Sequence, residues 1–173
     1  FGGRILQNSA KAAKYVNSPE SEIYHKSDHL YGLYFAKQAI IQKDHCILVE
    51  GYLDVISMYQ AGIQNVVASS GTSLTTGQIK LIHRFTNNIT LLYDGDRAGI
   101  KASIRGIDML LEEGMRVRVV LFPDGEDPDS YTRKYGAEKI QAYVTEQATN
   151  FIIFKTKILL EETKGDPIKK AAL

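Results

Sequence analysis

The stretch CILVEGYLDVISMYQAG, residues 46–62, contains the pattern that decides the fold. Its first four residues are apolar, which is typical of a strand buried on both faces. Glu50 and Gly51 then interrupt the run, and an amphipathic helical segment follows over about 54–61. A buried strand, a glycine turn and a helix make up half of a βαβ unit, so this stretch predicts a parallel sheet.

The same alternation recurs along the chain. Further apolar runs cover 66–68, 89–93 and 117–122, and helical patterns cover about 76–85 and 98–113. Thr75 stands where the N-cap of the second helix is expected. Together these segments predict an α/β domain over 44–136, with a doubly wound sheet of about four mainly parallel strands and helices on both faces.

The flanking regions differ from this core. Residues 1–43 hold six Lys and Arg against three Asp and Glu, whereas the remainder holds fifteen against seventeen. With its short turn-rich stretches and a predicted helix near 34–41, we interpret 1–43 as the end of a basic α+β subdomain. Residues 137–173 show helical patterns near 137–145 and 150–162, and we expect the start of a C-terminal helical subdomain there. We also expect the chain to be a piece of a longer protein.

The composition excludes several classes of protein. With 44% hydrophobic and 24% charged residues, the chain resembles an ordinary globular domain. Cys46 is the only cysteine, which excludes an internal disulfide and a thiolate zinc site within this chain. No apolar run reaches the roughly 20 residues that span a bilayer, so we expect no membrane association and a cytoplasmic location. The four histidines show no ligand spacing and are interpreted as structural.

Acidic residues stand where two predicted strands end. Glu50 follows the first strand, and Asp94 and Asp96 follow the third. Because parallel strands end at one edge of a sheet, three carboxylates would meet there and repel each other unless a cation held them. Mg²⁺ suits such oxygen ligands, and Mn²⁺ would substitute for it. Alternatively, Glu50 and Asp94 are solvated strand-end residues and Asp96 caps the helix that begins near residue 98.

A second acidic pair follows the fourth predicted strand. Asp127 and Asp129 flank Pro128, in a loop that returns to the same edge of the sheet. Asp127 also fits the N-cap of a helix with proline at its first position. Five acids around one point would suit two metal ions in a phosphoryl-transfer site.

Several strings resemble known families. EGYLDV (50–55) and DGDRAG (94–99) resemble the Toprim fold that primases, topoisomerases and some nucleases share. FGGRIL, KYVNSPE, HKSDHLYGLY, SSGTSLT and GEDPDSYTRKYG are similar specifically to bacterial DnaG-type DNA primases, over residues 1 to about 136. The resemblance implies that Glu50, Asp94 and Asp96 are catalytic and bind metal, with Asp127 and Asp129 as further ligands.

The resemblance also implies that Arg4, Lys14, Asn17 and Lys26 handle nucleotide or template. Asp54 matches a further family acid, which we interpret as stabilising the N-terminus of the first helix. The physical alternative for the basic positions is a solvated surface.

The resemblance implies a nucleotidyltransferase that makes short RNA primers for DNA replication. Its partners would be single-stranded DNA template, ribonucleoside triphosphates and the RNA primer, at the replication fork in the nucleoid. A replicative helicase and zinc would bind to domains absent from this chain, so the fragment alone is expected to prime poorly. Two alternatives remain open: a Toprim domain of a topoisomerase or nuclease, and a non-enzymatic, metal-binding nucleic-acid module.

Overall fold

The computed structural model describes residues 2–4, 15–69, 73–94, 97–123 and 125–162. The N-terminal elements are strands β1 (Gly2–Arg4) and β2 (Tyr15–Asn17), a 3₁₀ helix (Lys26–Asp28) and helix α1 (Leu33–Lys43). The α/β region follows with β3 (Cys46–Val49), α2 (Tyr52–Gln60), β4 (Val66–Ala68), α3 (Thr76–His83), β5 (Asn88–Tyr93), α4 (Arg97–Glu112) and β6 (Arg116–Leu121). The last described elements are α5 (Pro128–Tyr135), α6 (Ala137–Glu146), β7 (Thr149–Asn150) and α7 (Phe151–Glu162).

The main sheet has five strands in the order β4-β3-β5-β6-β7. The first four are parallel, and β7 pairs with β6 in the antiparallel direction. The predicted fold class is therefore confirmed. The fifth strand was not predicted, because two residues are too short to show a period.

Helices cover both faces of the sheet. In β3, Cys46 and Leu48 belong to one apolar cluster, and Ile47 and Val49 belong to the other. Successive strand residues point to opposite faces, so an unbroken apolar run is what two buried faces require. The first cluster contains side chains from α1, α3, α4 and α7, and the second contains side chains from α2 and α6.

Buried Gln78 joins the N-terminal segment to α3. As predicted, Thr75 caps α3: its hydroxyl accepts the Gln78 N–H, and the Gln78 amide oxygen accepts the Thr75 N–H in return. The Gln78 amide nitrogen donates to the carbonyls of Lys26 and His29, both at 2.9 Å. Beside it, a Cβ on Gly77 would lie 2.8 Å from an Asp28 carboxylate oxygen, so glycine permits this close approach.

The N-terminal segment also contacts the edge of the sheet. Tyr31 and Ala68 exchange two backbone hydrogen bonds, of 2.9 and 3.0 Å, which form an antiparallel bridge on the outer side of β4. Among the described residues, no helix combines the length and the apolar character that crossing a membrane requires.

Candidate metal centre

Glu50 and Asp94 lie at the same edge of the sheet. Each directly follows the last residue of a strand, and β3 and β5 are adjacent and parallel. Glu50 is exposed and Asp94 is half-buried. Burial raises the pKa of the Tyr93 hydroxyl, and the negative charge of Glu50 raises it further, which indicates that Glu50 lies near the end of β5. The third predicted acid, Asp96, lies outside the described residues.

Asp54 connects this edge to the acidic loop. One of its carboxylate oxygens accepts the Gly51 N–H at 3.0 Å, which confirms that Asp54 stabilises the N-terminus of α2. The other oxygen accepts the Asp129 N–H at 3.2 Å, so the same side chain holds the first turn of α5 against α2. A Cβ on Gly51 would lie 2.9 Å from an Asp54 carboxylate oxygen, so any other residue at this turn would displace that carboxylate from its present position.

The charge state of Asp54 depends on the surrounding acids. Burial raises its pKa to about 7, and the charges of Asp127 and Asp94 contribute to the rise. The hydrogen bonds from the Gly51 and Asp129 N–H groups lower the Asp54 pKa, but by less than burial and the neighbouring charges raise it. Asp54 in α2, Asp94 at the end of β5 and Asp127 in the loop before α5 therefore lie within electrostatic reach of one another. Such a cluster of carboxylates favours a bound cation.

Asp127 and Asp129 have different surroundings. Asp127 is the N-cap of α5: its carboxylate accepts the Ser130 N–H at 2.6 Å, which confirms the capping interpretation. Asp129 is buried, and its carboxylate accepts hydrogen bonds from the Ser57 hydroxyl and the Arg133 guanidinium. Metal binding by Asp127 and Asp129 therefore remains a prediction. A metal ion bound to Asp129 would share its carboxylate with the Ser57 hydroxyl and the Arg133 guanidinium.

Among the described residues, no three His, Cys, Asp or Glu side chains are close enough together to hold one metal ion. This set does not include Asp96. The described acids do share the chemistry that a hard divalent cation prefers, since all of them offer carboxylate oxygens at one edge of the sheet.

The predicted nucleotide-binding residues lie in the N-terminal segment. Arg4 and Asn17 pair with Tyr15 and Gly2 in the β1–β2 ribbon, whereas Lys14 and the Arg4 side chain lie outside the described part. Lys26 begins the 3₁₀ helix, and its N–H donates to the Glu20 carboxylate at 3.0 Å.

A cavity of about 610 Å³ opens beside this segment. Gly2, Lys26 and the tyrosines Tyr24, Tyr31 and Tyr52 line it. The structure therefore brings β1 and Lys26, which are distant in sequence, to the walls of one cavity.

Asp54→Asn is expected to change how stability depends on pH when metal is removed with EDTA. Between about pH 4 and pH 7 the folded chain keeps a proton on Asp54 that the unfolded chain has released, because the folded pKa is about 7. Stability should therefore fall as pH rises through this window, by up to about 1.4 kcal/mol per pH unit. The variant should lack this contribution.

The measurement is urea unfolding at several pH values, with exposed Asp108→Asn as the matched control. If the free energies of unfolding of the parent chain and Asp54→Asn changed with pH in the same way, the raised pKa of Asp54 in the folded chain would be contradicted.

Two family models match the chain. A model of Toprim-like domains matches residues 47–132, and one described as the DNA primase catalytic core, N-terminal domain, matches residues 1–37. The DNA primase of Halalkalibacterium halodurans is 45% identical over 157 residues, which are 91% of this chain and 26% of that protein.

Solved structures show the same relationship. A DNA primase domain from Pseudomonas aeruginosa superimposes with a TM-score of 0.83 at 41% identity, covering 93% of this chain and 50% of that one. A DnaG primase catalytic domain bound to single-stranded DNA gives a TM-score of 0.83 at 42% identity, with 99% of this chain and 56% of that one covered. The chain thus spans about a quarter of that curated relative and about half of these solved chains.

Proposed function

This chain belongs to the bacterial DnaG-type DNA primases, and on that premise we propose that it forms the metal-binding part of a primer-synthesising centre. The reaction would be template-directed joining of ribonucleotides into short RNA primers for DNA replication. One observation carries this assignment. Glu50 and Asp94 follow adjacent parallel strands, and Asp54 links the loop acids to that same edge.

We propose Mg²⁺ as the physiological ion and two ions in the complex with nucleotide. Glu50, Asp94, Asp96, Asp127 and Asp129 would hold them. When bound, the ions would neutralise the triphosphate and activate the attacking hydroxyl. Mn²⁺ would substitute for Mg²⁺, and zinc would belong to a domain outside this chain.

The protein's own residues position this set of acids. Asp54 fixes the first turn of α5 relative to α2 through its bond to the Asp129 N–H. Ser57 and Arg133 orient the Asp129 carboxylate. Glu50 and Asp94 remain more accessible at the edge of the sheet, where they can approach substrate and ions.

We propose the domain division 1–43, 44–136 and 137–173. The β1–β2 ribbon and the 3₁₀ helix lie in the first region, and the parallel strands lie in the second. The described part of the third packs directly on the sheet, since β7 pairs with β6 and Ile140 of α6 is fully buried. That region would form the start of a C-terminal helical subdomain.

We propose single-stranded DNA, ribonucleoside triphosphates and the RNA primer as partners. A relative bound to single-stranded DNA supports the first of these. A replicative helicase would bind to a domain outside this chain, and the working location would be the replication fork in the cytoplasm. Ribonucleotide incorporation on single-stranded DNA by a primase containing this chain tests the function, since a topoisomerase would instead relax supercoiled DNA.

Removing positive charge from Arg4, Lys14 and Lys26 together is expected to weaken template binding. Fewer counterions are released when fewer cations contact phosphates, so the negative slope of log affinity against log salt should become shallower by about 2. Fluorescence anisotropy with single-stranded DNA measures both quantities. Alanine at Arg84, Lys139 and Lys157, which are exposed just after α3, in α6 and in α7, is the matched control. Equal affinity and slope in the two triple variants would indicate a plain solvated surface.

The 173-residue chain alone is expected to bind Mn²⁺ but not to prime efficiently. Coordination depends on the ends of the strands, whereas a net charge of +1 provides few phosphate contacts for template affinity. NMR line broadening by Mn²⁺ should be strongest at Glu50 and Asp94 and weaker at Asp127 and Asp129. Broadening centred elsewhere, or robust primer synthesis by this chain, would contradict the placement of the site.

A further inference from the structure

The opposite edge of the sheet carries a basic groove. At the amino-terminal ends of the strands, two adjoining cavities of about 390 and 580 Å³ share Lys43, His45 and Arg118 in their walls. Arg116 lines the larger cavity. We call this feature, defined by Lys43, His45, Arg116 and Arg118, the amino-edge groove. It lies at the other end of the strands from Glu50 and Asp94.

Contacts with strand-end residues hold the floor of the groove in place. The His45 ring nitrogen Nε2 lies 2.8 Å from the Thr90 hydroxyl, and Asn65 donates its side-chain N–H to the His45 carbonyl at 2.9 Å. Lys43 donates to the Asn65 carboxamide oxygen at 3.4 Å. Arg118 pairs with Thr90 across the β5–β6 register, so its backbone is fixed beside the same threonine.

Positive charge in the groove exceeds negative charge, since Lys43, Arg116 and Arg118 line its two cavities and Asp44 is the acid among the lining residues. Within the described ranges, none of Lys43, Arg116 and Arg118 forms an ion pair with a carboxylate. Asp44 is the acid in the wall, and its two oxygens accept hydrogen bonds from Thr86 at 2.8 Å and from Asn88 at 2.9 Å. Both Asp44 oxygens thus have neutral hydrogen-bond partners, and its single negative charge offsets one of the three cations that line the groove.

The pKa of His45 is also affected by the excess of positive charge in the groove. Burial lowers the pKa of His45, and the charges of Arg118 and Lys43 lower it further, partly opposed by Asp44. Cations that disfavour one another's charge within a cavity would gain free energy from a bound anion. Guanidinium and ammonium groups are also the side chains that bind phosphate oxygens most strongly.

We propose that the amino-edge groove binds a phosphate ester, with Lys43 and Arg118 as its principal contacts. Ile47, Ile63, Val144 and Ala148 line the smaller cavity and offer an apolar wall for the uncharged remainder of the ligand. A cavity of about 390 Å³ lies within the range of small-molecule sites. The phosphate ester can come from a free nucleotide or from the backbone of a nucleic acid, and both present the same chemistry to the groove.

The test uses the 173-residue chain in EDTA, so that metal-dependent binding at the acidic edge does not contribute. One arm titrates ADP and follows the His45 and Arg118 resonances by NMR. The other arm titrates a fluorescein-labelled oligothymidylate and follows anisotropy. In at least one arm, Lys43→Gln/Arg118→Gln should weaken binding by about tenfold or more, the effect of losing one charged hydrogen bond.

The matched control is Arg84→Gln/Lys139→Gln, which removes the same charge from exposed positions outside the groove. If the groove double variant weakens the binding of ADP alone, the ligand is a free nucleotide. If it weakens the binding of the oligonucleotide, the ligand is a nucleic-acid backbone. Equal affinities of the two double variants in both arms would overturn the proposal, as would the absence of binding by the parent chain. If the groove double variant is unfolded by circular dichroism, the single variant at exposed Arg118 replaces it and decides the matter.

Discussion

Primer synthesis is expected to fall by at least about 100-fold when Glu50→Gln or Asp94→Asn is introduced into a primase that contains this chain. Each substitution keeps the side-chain size and removes one negative charge from the edge where the ions would bind. The fold should persist, because Glu50 is exposed and Asp94 is half-buried at the ends of strands. The measurement is incorporation of labelled ribonucleotides on single-stranded DNA, together with a thermal unfolding curve for each variant.

Glu112→Gln is the matched control for this prediction. Glu112 is exposed at the end of α4 and lies outside the acidic edge, so its neutralisation should leave the priming rate unchanged. A folded Glu50 or Asp94 variant that primes at the parental rate would show that the metal centre lies elsewhere.

Gln78→Leu should destabilise the chain by about 3–5 kcal/mol, since it removes all the hydrogen bonds that the buried Gln78 side chain makes to the backbone. The Gln78 side chain is fully buried, and it binds the carbonyls of Lys26 and His29 and the N–H of Thr75. Leucine matches its volume but offers no donor or acceptor. The segment that carries Lys26 should then separate from α3, and urea unfolding would measure the loss.

Hydrogen exchange provides a local measurement of the same change. Amides near residues 26–31 should lose protection more than those of β5 in Gln78→Leu. Gln38→Leu is the control, because Gln38 is exposed on α1 and its replacement should change stability by less than about 0.5 kcal/mol. A Gln78→Leu chain as stable as this control would contradict the role of Gln78 as the link to the N-terminal segment.

The strands and helices were largely predictable because their signals are local. An apolar run such as Cys46–Val49 marks a strand buried on both faces, and a cap such as Thr75 marks the start of a helix. The meeting of Glu50 and Asp94 followed from one further rule, that parallel strands end at a common edge. Local pattern and simple topology therefore fixed most of the fold and the position of the acidic edge.

Contacts between distant side chains were not predictable. Ser57 and Asp129 are 72 residues apart, and their hydrogen bond has no periodic counterpart in the sequence. Asp54 makes one predictable and one unpredictable contact. Its hydrogen bond to Gly51 spans three residues and follows a capping pattern. Its hydrogen bond to Asp129 spans 75 residues and depends on the packing of α2 against α5. The identity of Gln78 as a buried link was missed for the same reason.

The bridge between Tyr31 and Ala68 has a consequence for how the chain behaves among other copies of itself. An outer strand normally presents unpaired N–H and C=O groups, which can recruit strands from other molecules and begin aggregation. Here Tyr31 pairs with the outer side of β4, and the other margin of the sheet is the two-residue β7, too short to serve as a good template. The N-terminal segment therefore covers part of the outer side of Val66–Ala68. Removal of that segment would expose this apolar strand to pairing with other copies of the chain.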